Sequence, residues 1–98
     1  MSYIAIVSFD IKNGSTKDYE NVYKGFETIG LKRIITSDNG KNILLPTTTT
    51  AGQFSEQTTV AVRDDLCTKT EAVFTRNGIH GEIFIAVGGD WAWSHRNP

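Results

Sequence analysis

Cys67 is the only cysteine in this 98-residue chain. No internal disulfide can form, and thiols alone cannot assemble a zinc site. A reducing compartment is the simpler expectation. Histidine is nearly as scarce: His80 and His95 are the only two, and neither stands at metal-ligand spacing from Cys67. No apolar run approaches the ~18 residues that a membrane-spanning helix needs. No basic region with an apolar leader core precedes the first strand, so the expected location is cytoplasmic, with no membrane partner. An excess of either charge is also missing, since 10 Lys and Arg against 11 Asp and Glu leave a net charge of −1. Strong non-specific nucleic-acid binders are usually basic, so any such role here must rest on a local patch or a metal.

What is present is an ordinary globular composition, 39% hydrophobic, in a length that suits one domain, 1–98. Tyr3 to Ile11 reads as a strand that is apolar on both alternating faces: Ile4, Ile6, Ser8 and Asp10 on one, Tyr3, Ala5, Val7 and Phe9 on the other. Such a strand expects a cover on each side. Ser15 then caps a helix with Asp18 as its return partner. Tyr19, Val22, Tyr23, Phe26 and Ile29 form a helical stripe, closed by Gly30. Leu31 to Thr36 reads as a second strand, Asn39-Gly40 as a hairpin turn, and Asn42 to Leu45 as the returning strand. Pro46 cannot donate to a ladder and implies a bulge, edge or break. Thr47 to Phe54 continues as strand, so residues 42–54 read as one kinked strand or two. Ser55 is the expected cap of a second helix running to about Arg76, with Val62, Leu66, Val73 and Phe74 buried and Ala61 and Thr70 filling in. Asn77-Gly78 stops it. Glu82 to Val87 is a last strand, Gly88-Gly89 ends it, and residues 91–98 form a tail in which a short extra strand is expected.

Strand, helix, hairpin, helix, strand is the βαββαβ order of a ferredoxin-like α+β fold. Two helices would cover one face of an antiparallel sheet. The other face would stay bare in a monomer, and a two-fold homodimer through that open face is the commonest way to cover it.

Three short motifs carry a family resemblance: Ser8-Phe9-Asp10 at the end of the first strand, Val62-Arg63-Asp64-Asp65-Leu66 on the second helix, and Gly89-Asp90-Trp91-Ala92-Trp93 in the tail. In these and in element order the chain resembles the SinR-like proteins and VapD-type toxins, relatives of the small CRISPR-associated adaptation endoribonucleases. The resemblance implies a homodimeric metal-dependent endoribonuclease acting on RNA. In it Asp10 of each subunit holds Mg²⁺ or Mn²⁺ across the dimer axis and is the catalytic residue, with Ser8 a second catalytic candidate beside it.

Each site residue also has a plainer reading. Two carboxylates with waters suit Mg²⁺, which keeps much of its hydration; alternatively Asp10 accepts hydrogen bonds from the Lys12, Asn13 or Gly14 amides in an Asx-type turn. Ser8, two residues back on the same face, either donates to that carboxylate or a phosphate, or is a small residue at a crowded interface. Lys32, Arg33 and Lys41 form the basic cluster available to a nucleic-acid backbone, or a solvated edge that resists aggregation. Trp91 and Trp93 share a face if the tail is extended; they stack on bases or anchor the tail on a sheet at the dimer contact. His80 is a general base by its chemistry or simply an exposed loop residue. Gly88-Gly89-Asp90 lacks the Lys-Ser/Thr pair and following helix of a phosphate loop. Against the endoribonuclease stands a second class, a non-catalytic dimeric scaffold or regulatory interaction module. It rests on the neutral charge, the missing basic groove and the sparse acid/base set.

Overall fold

The computed structural model describes residues 2–98. Its elements run β1 (Ser2–Ile11), α1 (Thr16–Thr28), β2 (Ile34–Thr36), β3 (Asn42–Leu44), β4 (Thr49–Ser55), α2 (Thr59–Arg76) and β5 (Gly81–Gly88). They form a small α+β domain. One antiparallel sheet has three strands in the order β4-β1-β5, and β2 and β3 make a separate antiparallel pair.

Both faces of β1 are apolar, and the helices choose one. Tyr3, Ala5, Val7, Phe9 and Ile11 are buried together with Val22 and Phe26 of α1 and Val62, Leu66, Val73 and Phe74 of α2. The helical stripe of α1 explains its seat, with Tyr19, Tyr23 and Ile29 flanking the two buried positions. Two hydroxyls enter this core and both are satisfied. Thr50 donates to the Val7 carbonyl at 3.0 Å and Thr70 to the Leu66 carbonyl at 2.7 Å.

Local chemistry sets the helix ends. Ser15 and Asp18 form a reciprocal capping box at 3.1 Å in each direction. The second helix starts later than the sequence suggests. Its cap is Thr58, whose hydroxyl accepts from Ala61 N at 3.0 Å, whereas Ser55 pairs with Ser2 in the sheet and is held extended. Both helices end in the same way. Gly30 donates to Glu27 O and Leu31 to Phe26 O; Gly78 donates to Thr75 O and Ile79 to Phe74 O. These are Schellman closures, and the residue after each glycine, Leu31 or Ile79, drops into the core.

Residues 42–54 are two strands. Pro46 ends the first, and Thr48 then turns the chain through a left-handed conformation, φ 64°, which is costly for a β-branched residue. The Tyr23 hydroxyl accepts from Thr48 N at 2.9 Å and ties this corner to α1. At the other end of the β2–β3 hairpin, Gly40 N donates to Ser37 O and Ser37 N to Lys41 O, with Gly40 alone at positive φ. That is a type I turn closed by a glycine bulge, rather than a two-residue turn.

The hairpin touches the main sheet through one bridge, in which Lys32 and Ala51 exchange backbone hydrogen bonds of 2.8 and 2.9 Å. Beside it, the backbone of Gly30 lies against Gly52 so closely that a Cβ at position 52 would land on the Gly30 carbonyl oxygen. Gly52→Ala is therefore expected to lower stability by about 1–3 kcal/mol, as overpacking against backbone does. Urea unfolding checks this, and a midpoint equal to wild type would contradict the close approach.

Candidate functional site

The face of the sheet turned away from the helices is set by register. Ile6 lies opposite Ala51 on β4 and Ala86 on β5; Ser8 opposite Thr49 and Phe84; Asp10 opposite Glu82. Directly opposed residues share a face, so these side chains form one surface. It divides into two parts.

The β4 side is covered by the chain itself. Ile35 of the hairpin, Leu45 and Pro46 line an apolar cleft of about 280 Å³ with Ile4, Ile6, Ala51 and Trp93. Trp91 and Trp93 both line an adjoining cleft beside Lys32 and Gln53. The tail thus crosses its own subunit's open face. The expected extra strand is absent from it: residues 91–98 take no helix or strand conformation. Gly88 closes the β5 ladder, Asp90 turns the chain at φ 54°, and beyond it the tail rests on tryptophan side chains instead of a backbone ladder.

The β5 side is bare. Phe84 is 68% exposed, and Ile6, which also lines the tail's cleft, keeps 43% of its surface exposed at the boundary; beyond them the strands end on Asp10 and Glu82. Both carboxylates are exposed, and among the described residues neither has a hydrogen-bond or ion-pair partner. The Asx-type turn expected of Asp10 is not formed. The Lys12 amide donates to His80 O at 2.8 Å and the Gly14 amide to Ile11 O at 3.3 Å. Glu82 is the residue that sequence reading missed. Nothing in spacing along the chain links positions 10 and 82; the β1–β5 register does. Among the described residues no group of three or more His, Cys, Asp and Glu side chains comes together. Two bare carboxylates fit a hydrated Mg²⁺ or Mn²⁺, which binds through one or two acids plus water and substrate oxygens, and do not make a closed cage.

The remaining site residues are scattered. Ser8 is half-buried between Thr49 and Phe84. Lys32 and Arg33 sit at the base of the β2–β3 hairpin and Lys41 at its tip, so the three do not converge. Lys32 is in the bridge to Ala51, and the Arg33 guanidinium lies 4.0 Å from the centre of the Tyr23 ring, a cation–π contact. Arg63 pairs with Asp64 and Lys69 with Asp65, both at 2.9 Å on α2. His80 and His95 are exposed, and Cys67 is half-buried on α2. Among the described residues no helix is long and apolar enough to cross a membrane. In comparisons with known proteins, no family model, curated protein or solved structure matches this chain significantly.

Proposed function

We propose that this chain is a ferredoxin-like, homodimerising interaction module that docks through the open face of its sheet. The observation that carries the reading is the exposed pair Ile6 and Phe84 on the sheet face opposite the one that carries both helices and the core. Neighbouring apolar side chains of this size on a strand surface are stabilised by being covered. The ferredoxin-like topology is supported by the wiring. The seven elements run βαβββαβ, which matches the ferredoxin-like order if β3 and β4 count as one strand split at Pro46; β5, β1 and β4 lie side by side with Lys32 at the far edge of β4. Trp91 and Trp93 hold the tail at the border of this contact. Sedimentation of wild type against a variant charged at Ile6 tests the reading.

One observation favours a second reading, the metal-dependent endoribonuclease that the SinR-like and VapD-like resemblance implies: Asp10 and Glu82 face each other, exposed, at the end of the same face. A two-fold contact at that end would gather four carboxylates. Bound there, Mg²⁺ or Mn²⁺ would supply a Lewis acid for a phosphodiester. The chain's own part is to hold two acids at adjacent strand positions, with Lys12 and His80 on the next rung. On this reading Mg²⁺ raises the melting temperature of wild type, because a ligand bound to the native state stabilises it. Asp10→Asn abolishes both that shift and cleavage of single-stranded RNA. Cleavage that is absent, or equal in the two proteins, leaves the interaction module as the function.

A further inference from the structure

The outer edge of β5 is the other unfinished surface of the sheet. β5 is the terminal strand of the order β4-β1-β5 and runs eight residues, Gly81–Gly88, in unbroken register with β1. Among the described residues no strand pairs with its far side. Exposed edges are normally blunted by proline, lysine, a bulge or a covering loop. This one has none of the first three in its sequence and register, and the tail leaves it by crossing toward β4. Glu82 is its only charge. On the helix layer Val60, 50% exposed, borders the same edge beside Ile85 and Val87.

The phase of the ladder says which backbone groups are free. Lys12 N donates to His80 O in the β1–β5 register. Alternate pairs along that ladder are hydrogen-bonded, so Glu82, Phe84 and Ala86 turn their backbone groups toward β1. Gly81, Ile83, Ile85 and Val87 turn theirs outward.

We infer that this edge pairs with the β5 edge of a second copy, antiparallel about a two-fold axis at Phe84. The choice of a second copy rests on self-complementarity. With the axis at Phe84, Ile83 lies opposite Ile85′ and Gly81 opposite Val87′, where the prime marks the second copy. All four outward residues of each chain are then hydrogen-bonded. Phe84 meets Phe84′ in the narrow, non-hydrogen-bonded position where side chains approach most closely. Glu82 falls opposite Ala86′, so the only charge on the strand never meets itself. Shifting the axis to Ile85 leaves Gly81 unpaired. The helices of both copies stay on one side, and two sheets become one. This contact is distinct from the open-face contact and does not depend on it. It holds the two Asp10 residues about 20 Å apart, from strand spacing and rise, and so cannot itself bring them to one metal.

The register makes a charge test. Ala86 is exposed, so lysine or glutamate there leaves the core untouched, and each faces Glu82′ twice in the pair. Opposite charges across a strand pair attract and like charges repel. Ala86→Lys is expected to associate roughly five- to thirtyfold more tightly than Ala86→Glu, measured by sedimentation equilibrium at low salt. Hydrogen exchange of wild type at associating concentrations is expected to protect the Ile83, Ile85 and Val87 amides, and to release them on dilution. Equal association of the two Ala86 variants, or amides at 83, 85 and 87 that exchange as freely at high concentration as at low, would overturn the edge contact while leaving the open-face contact standing.

Discussion

Phe9→Ala removes much of the domain's stability, about 3–5 kcal/mol. Phe9 is 5% exposed and is the hub of the aromatic core. Its ring lies 5.3 Å from Phe26 and 5.5 Å from Tyr23, both edge-on, with Tyr19 at 6.1 Å and Phe74 at 6.2 Å. Truncation loses the burial of the ring and leaves a cavity that rings from two helices cannot easily collapse into. A small domain has only about 5–15 kcal/mol in total. A 98-residue chain moves roughly 4–8 °C per kcal/mol, so the melting temperature is expected to fall by at least about 12 °C. Phe84→Ala is the control. It removes the same side chain from β5, but from the bare face, and at a concentration where both proteins are monomeric it is expected to change the melting temperature by only about a few degrees. Equal losses in the two variants would contradict the assignment of faces.

Ile6→Glu has the opposite profile: little effect on folding and a large one on self-association. Its side chain is 43% exposed where the tail's cleft meets the bare strip, and its two cross-strand neighbours, Ala51 and Ala86, are small. A carboxylate there is solvated in the monomer. At the centre of an apolar contact it would be stripped of water without a partner. Central contact residues typically contribute about 2 kcal/mol or more, so weakening by at least about thirtyfold is expected, with a far-ultraviolet spectrum like that of wild type.

Local chemistry made much of this fold legible. The Ser15–Asp18 box, the α1 stripe, Gly30, Asn39-Gly40, Pro46 and Asn77-Gly78 each act within a few residues, and each marks a real boundary. What failed to show was tertiary. Ser55 is as good a cap as Thr58 by composition; pairing with Ser2 decides between them. β1 is apolar on both faces, so its pattern cannot tell which one the helices take. Gly52 stands inside a strand with no local reason, because its reason is the Gly30 backbone. Glu82 joins Asp10 only through the β1–β5 register. The tail's tryptophans were legible as sheet anchors, and they line clefts against their own hairpin and sheet, but the extra strand expected there does not form.

The open face as a docking surface is tested most directly by sedimentation velocity of wild type and Ile6→Glu over the same concentration series. Wild type is expected to shift to at least twice the mass of the chain as concentration rises, and Ile6→Glu to require a far higher concentration to do so. Wild type that stays monomeric throughout, or Ile6→Glu that associates as readily as wild type, would contradict it.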